Sequence, residues 1–444
     1  MEEFYMKRSF FYSVCILAIP VALQSMLQSS FSIVDQIMIG QLGSTNVCAV
    51  GLAGKFSSIF TVIISAIGAV AGIMISQYIG QKNSMEVKKS FYLNQFISFL
   101  LAFLFLFASL FFSEKIIRFY IQDTETIQQA SLYLKIFSFS FIPYAFATLF
   151  SSYLRCIEKA QIPLYITLFS ALCNTILNYF LIFGKGIFPS MGIKGAAIAS
   201  VLSQWLNCIL LFLFVYNHTY LKDKVSTWKF PFQQYITILF PILACEFLWS
   251  VGENVYASIY GHLSIESSAA MTLTNPIQGL LIGALCGLSS AASVIISKLL
   301  GQKEYEDAYQ SSVKILKYGL FASVGLSIIV LFTRSIYVQI YQVDTLTKQL
   351  TTQILLAYAL VAPFKVENMI LGSGILRSGG KTKYVMYIDI IGTYGFGIPL
   401  GYIAAFVFKL SIPYVYFILS LEECVRFLLS MIVFKKRKWI HTLK

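Results

Sequence analysis

The chain has 444 residues, 57% of them hydrophobic and only 12% charged, which is more apolar surface than a water-soluble domain can bury. The net charge of +13 does not point to nucleic acid, because Lys and Arg are spread over alternate loops instead of being gathered on one water-facing module. Eight cysteines stand singly, without the paired spacing of zinc or haem motifs, and read as small core residues.

Runs of apolar residues recur from end to end, each long enough for the roughly 20 residues that a helix needs to cross a hydrocarbon core. They are continuous, not alternating, so they are helices and not the strands of an outer-membrane barrel. The first run follows Lys7 and Arg8 and is too long for a signal peptide, so it counts as a span. Spans are predicted near residues 11–39, 46–78, 91–112, 127–154, 163–183 and 195–216. Six more fall near 235–260, 268–299, 311–332, 348–376, 385–408 and 415–434. The fold class is therefore an all-α polytopic membrane protein of twelve transmembrane helices. Its organisation is a six-helix bundle over 1–216, a linker over 217–234 and a second six-helix bundle over 235–444. Basic residues concentrate after even-numbered spans, as with Lys82, Lys88 and Lys89, Arg155 and Lys159, and Lys435 to Lys438, which predicts a cell-membrane protein with both termini cytoplasmic.

Sliding the chain along itself by 221 positions reveals an internal repeat. Pro20 falls on Pro241, Gly40 on Gly261, Ser76 on Ser297, and Gly80-Gln81-Lys82 on Gly301-Gln302-Lys303. The register also brings Asp123-Thr124 onto Asp344-Thr345, then slips by one residue as Arg155 and Lys159 meet Arg377 and Lys381. Six spans per repeat is an even number, so both halves enter from the same side and a pseudo-twofold along the membrane normal is predicted. Such a pair of bundles encloses a central cleft suited to alternating access.

The same landmarks resemble the multidrug and toxic compound extrusion (MATE) family. Val34-Asp35-Gln36-Ile37-Met38-Ile39-Gly40 is similar to the end of the family's first helix, and Ser76 to Lys82 to the exit of its second. Asn174-Thr175-Ile176-Leu177-Asn178-Tyr179, Met191 to Ser200 and Leu376-Arg377-Ser378-Gly379-Gly380-Lys381-Thr382 resemble its fifth helix, its sixth helix and the loop after its tenth. Asn178, where one branch of the family carries an acid, resembles the sodium-dependent bacterial branch. That branch's acids in helices seven and ten are not matched in place. Glu246 is offset along its helix, Glu367 is about one residue out of register, and Lys381 replaces a commonly acidic loop residue.

An ionisable group inside a span costs several kcal/mol on insertion scales, so each is a functional candidate. The resemblance places Asp35 beside Asn174 and Asn178, whose i,i+4 spacing puts both amides on one helix face. One carboxylate and two amide oxygens suit Na⁺ as a hard cation, or a proton; the structural alternative is a polar clasp between helices. Glu246 and Glu253 lie two turns apart on helix seven and, with Glu367 of helix ten, are candidates for substrate or proton binding. Trp249, Tyr256 and Phe31 are candidates for an aromatic cation wall, although aromatics more often simply pack. Lys365 and Glu367 are two apart and point to different faces, so they should not pair; Asp389, Glu422, Glu423 and Arg426 read as ties between helices.

No Ser/His or metal-ligand constellation and no Walker-type phosphate loop appears, so the chain reads as a transporter and not an enzyme. Its expected function is antiport of amphipathic organic cations against Na⁺ or H⁺, with no other cofactor, acting as a monomer in the lipid bilayer. The alternative is a flippase for lipid-linked oligosaccharide from the same superfamily, which would need a more cationic cleft than these acids supply.

Overall fold

A computed structural model describes residues 10–121, 123–185, 188–216, 232–339, 341 and 344–443. Most of the expected linker, at 217–231, lies outside the described residues. The described residues form twelve helical spans, α1 to α12 in chain order. The first half holds α1 (Phe10–Gly40), α2 (Ser44–Gly80), α3 (Ser84–Arg118), α4 (Thr124–Cys156), α5 (Gln161–Phe183) and α6 (Ile193–Tyr216). The second holds α7 (Phe232–Leu263), α8 (Ile265–Gly301), α9 (Tyr305–Gln339), α10 (Thr345–Gly379), α11 (Lys383–Val407) and α12 (412–435). Eleven are unbroken enough, long enough and apolar enough to cross a membrane; α12 is interrupted at Leu421 between Ile412–Ser420 and Glu422–Lys435.

Outward faces carry large apolar side chains, such as Phe96, Phe103, Phe107 and Phe111 of α3, which water would not tolerate and lipid does. Between helices the packing relies on small residues, which let backbones approach closely without a hydrophobic drive from lipid. In α6, a Cβ on Gly195 would stand 2.6 Å from the Leu181 carbonyl of α5. Ser152 of α4 donates to the Gly68 carbonyl of α2 at 2.8 Å, and between the corresponding helices of the second half Ser289 of α8, the repeat counterpart of Gly68, donates to the Met369 carbonyl of α10 at 3.0 Å.

The repeat is written into turns and caps as well. After α2, Lys82 takes a left-handed φ of 57°, and after α8 its counterpart Lys303 takes 64°. Asp123 caps α4 by accepting from the Thr126 amide at 2.9 Å, and Asp344 caps α10 by accepting from Thr347 at 2.8 Å. Each cap satisfies amide groups that the first helical turn cannot pair.

Contacts divide the chain into two units. The unit that begins at Leu23 holds the rest of α1 with α2 to α6, whereas α1 through Ala22 groups with the chain from Phe232 onward. The cause is close backbone packing: a Cβ on Gly287 of α8 would lie 2.8 Å from the Ala18 carbonyl carbon, and the Phe11 ring meets Tyr318 edge-on at 5.2 Å. Pro20 lies inside α1 just before this change of partner, and Pro241 lies inside α7.

Candidate functional site

In the first unit, α5 presents Asn174 and Asn178 on one face, one turn apart, toward the end of α1 that carries Asp35. Asn178 Nδ2 donates to Asp35 Oδ1 at 2.8 Å and to Asn174 Oδ1 at 3.2 Å. Both amides are buried, Asn178 to 1% exposure, while Asp35 is half-buried. Asn174 Nδ2 reaches Ser203 Oγ of α6 at 3.1 Å, so a third helix enters the cluster. Higher on the same pair of helices, Gln24 of α1 donates to Thr167 of α5 at 2.9 Å and holds the register.

The Asn174 amide has two useful orientations. With its nitrogen on Ser203, its oxygen faces the Asp35 carboxylate; turned over, its nitrogen lies 3.1 Å from both Asp35 oxygens and its oxygen accepts from Ser203 Oγ at 3.1 Å. The first arrangement points oxygen at oxygen, which is repulsive unless a positive charge sits between them. The second satisfies the carboxylate with N–H donors alone. Asn178 Oδ1 is buried without a hydrogen-bond partner. The two carboxylate oxygens and the Asn174 oxygen, which faces them when its nitrogen is on Ser203, are donors of the kind that suits a hard cation such as Na⁺, and the carboxylate by itself suits a proton. A cavity of about 530 Å³ lined by Val34, Met38, Gln41, Tyr179 and Lys185 adjoins this end of α1 and α5.

The second unit holds a different kind of cluster. Arg377 Nη1 of α10 lies 3.3 Å from Glu246 Oε1 of α7, so Glu246 already has a resident cation. Tyr256, the repeat counterpart of Asp35, donates to Glu422 Oε2 at 2.5 Å. Asn368 donates to Glu423 Oε2 at 2.8 Å, and Arg426 pairs with Asp389 and lies 3.6 Å from Glu423. These contacts tie α7, α10, α11 and α12 together, in the tying role the sequence suggested for Asp389, Glu422, Glu423 and Arg426. Widened π-helical turns at Ile390–Gly397 make room: the missing Cβ atoms of Gly392 and Gly397 leave space for Arg426 and for the Tyr256–Glu422 pair.

The candidate residues therefore separate. Asp35, Asn174 and Asn178 meet, and Phe31, half-buried on α1, precedes Asp35 by one helical turn. Glu246 and Tyr256 are engaged by Arg377 and Glu422. Trp249, 53% exposed, and Glu253, also exposed, share a face of α7 at i,i+4 spacing. Glu367 is buried and turned toward α9, where a Cβ on Gly319 would stand 2.8 Å from its Oε1. Sequence reasoning missed Ser203, one serine among many, and the inward role of Arg377, which reads as a loop cation; its only sequence signal is the one-residue proximity to the end of a span.

A twelve-helix chain with buried carboxylate–amide and ion-pair clusters inside its spans belongs to the class of polytopic membrane transporters. The MatE family model matches residues 20–180 and 241–403, beginning at the two repeat prolines, and the chain is a member of that family. Among relatives, it is 21% identical to the uncharacterized transporter YisQ of Bacillus subtilis over 97% of this chain and 95% of that one. It is 27% identical to multidrug and toxin extrusion protein 1 of Xenopus tropicalis, over 89% of this chain and 69% of that one. Its fold matches a MOP superfamily transporter from Pyrococcus furiosus with a TM-score of 0.87 at 16% identity, covering 96% of this chain and 95% of that one.

Proposed function

We propose that this chain is a secondary active antiporter of the cell membrane that exports amphipathic organic cations in exchange for Na⁺ or H⁺. The observation that carries the reading is the Asp35–Asn178–Asn174 cluster, a carboxylate held inside the spans by neutral amides and not by a counterion. The ion drives transport only if one conformation of the protein binds it more tightly than another. Movement of α1 against α5 supplies that difference, because their polar link is this cluster together with the Gln24–Thr167 bond. Two bundles related by a pseudo-twofold, with both termini cytoplasmic, then alternate access around a cleft, in a single chain.

For the exported cation, the exposed pair Trp249 and Glu253 on α7 offers an aromatic face beside a carboxylate. Glu246 is a weaker candidate than its mid-span position implies, because Arg377 already neutralises it. The names of the relatives, multidrug and toxin extrusion among them, agree with an exporter. The test is uptake of a fluorescent monovalent organic cation into vesicles holding the purified chain, with Na⁺ and pH gradients imposed separately. Transport driven by either gradient supports antiport; transport indifferent to both refutes it.

A further inference from the structure

The chain does not stop where α12 does. Arg437 takes a left-handed φ of 53°, which turns the backbone off the end of that helix, and the Ile440 amide donates back to the Arg437 carbonyl at 3.2 Å. The segment that follows runs over the ends of three other helices of the second unit. The Trp439 ring is wholly buried; it stacks on Phe434 at 5.8 Å, and its Nε1 donates to the Phe434 carbonyl at 3.3 Å. Phe434 stacks in turn on Tyr309 of α9 at 4.9 Å, and Arg437 closes the stack from outside, 4.3 Å from the Tyr309 ring and donating to Glu306 at 2.7 Å. Thr442 donates to the Leu300 carbonyl at the end of α8 at 2.6 Å and lies 3.1 Å from the Tyr305 hydroxyl. At the end of α10, a Cβ on Gly379 would stand 3.0 Å from the Trp439 carbonyl carbon, and one on Gly380 would stand 2.8 Å from the buried Leu443. The bend at that place does not itself demand glycine. Its repeat counterparts after α4 are Ile157 and Glu158, and Glu158 takes a φ of 63° where Gly380 takes 73°, each amide donating at 2.9 Å to the arginine three residues back. The two glycines therefore answer to the tail and not to the turn.

We infer that the residues after α12 are a strap that binds the end of α8, the start of α9 and the end of α10 to α12, and that it stays seated while the protein changes conformation. Lifting it would bare a tryptophan and a leucine and break an aromatic stack, whereas a segment meant to come and go would bury little. A tail meant for the bilayer surface would turn its apolar side chains outward, and here Trp439 and Leu443 both point into the protein. Only the Arg437–Glu306 pair lies in the open, and an exposed ion pair holds too little energy to govern the rest. With the strap in place these four helices move as one body at this end, so a change of shape in the second unit falls farther along their length. The strap is argued from packing alone and stands apart from the antiport reading.

The test is hydrogen–deuterium exchange of the full chain in lipid nanodiscs. Trp439→Ala is expected to raise exchange at least tenfold at the end of α8, the start of α9 and the end of α10 together, with less than a twofold change at the first unit's turns around Lys82 and Glu158. Gly379→Ala, which keeps the tryptophan and fills its seat, should do the same. Thr442→Val, a milder change, should raise exchange at least threefold at the end of α8. In the wild type, exchange over 439–443 should agree within twofold between NaCl and KCl at equal concentration and pH. A rise confined to the tail in Trp439→Ala, with the three helix ends unchanged, overturns the strap. Tenfold faster exchange of the wild-type tail in one of the two salts overturns it as well, because the tail would then be a gate. Should Trp439→Ala loosen both units alike, the molecule has unfolded, and the Gly379→Ala and Thr442→Val results decide. None of these measurements uses transport, so failure of the strap leaves the antiport reading intact.

Discussion

Asp35 is one carboxylate among several in the spans, and what distinguishes it is the company of amides in place of guanidinium groups. Guanidinium is a permanent cation, so Glu246 beside Arg377 and Asp389 beside Arg426 have their charge balanced by a partner that does not titrate. The amides of Asn174 and Asn178 carry no charge and leave that of Asp35 to be balanced by an ion or a proton. Replacing Asp35 with Asn keeps the shape and removes the charge. Gradient-driven export should fall at least tenfold, and substrate binding should stay within about threefold of wild type; full export by the variant would remove Asp35 from the coupling role. The Glu246–Arg377 pair makes a contrasting prediction. Arg377 is buried and Glu246 only half so, hence Glu246→Gln leaves a guanidinium without its counterion and should destabilise the protein by about 1–3 kcal/mol. Thermal unfolding in detergent measures this, and adding Arg377→Gln should recover part of the loss if the pair is structural.

At the level of helices, close approach and capping decide which elements hold. α5 and α6 meet where Gly195 faces the Leu181 backbone at a separation that no Cβ can share. Gly195→Ala must push the helices apart, at a cost of about 1–3 kcal/mol, and because Ser203 lies on the same helix the Asn174 contact should loosen too. A lowered unfolding temperature together with weakened Na⁺ protection in the same variant is the expected signature. The caps lie outside the spans and respond to acid. Hydrogen bonds from Thr347 hold the Asp344 carboxyl below its usual value, and bonds from Thr126 do the same for Asp123. A depressed folded-state pKa contributes stability that is present above the unfolded value, near 4, and is lost as pH falls through the lower folded value. Asn caps about as well as Asp without titrating. Asp344→Asn should therefore match wild type at pH 7 and lose less stability between about pH 4 and pH 2; identical acid profiles would count against the cap as a source of acid sensitivity.

For the whole molecule the repeat matters more than any single contact. Equivalent turns at Lys82 and Lys303 and equivalent caps at Asp123 and Asp344 show that both halves are built to one plan, yet their interiors have diverged. Position 35 holds an acid among amides, and its counterpart 256 holds a tyrosine bonded to a glutamate. The asymmetry puts a carboxylate among amides in the unit that begins at Leu23 and ion pairs in the other, and on the proposed reading the first holds the single coupling acid. If so, Na⁺ and H⁺ should compete for a single coupling site: raising Na⁺ at fixed pH gradient should inhibit proton-driven export, and Asp35→Asn should abolish both modes together. Additive, independent driving by the two ions would require a second coupling site.

Much of this was legible in the residues themselves. Hydrocarbon thickness forces long apolar helices, so twelve spans can be counted from the apolar runs, α12 included, although its helix breaks at Leu421. The repeat emerged from identities at a fixed offset, and Asp35, Asn174 and Asn178 from the cost of polar groups inside spans and from the resemblance. Other features lay beyond the sequence because they depend on which side of a helix meets which neighbour. Helical phase alone could not pair Glu246 with Arg377 across 131 positions, seat α1 through Ala22 against Gly287, or aim Glu367 at a glycine on α9. A one-residue change in register turns a side chain by about 100° around a helix, enough to exchange a cleft for a neighbouring helix, and only tertiary packing sets that angle.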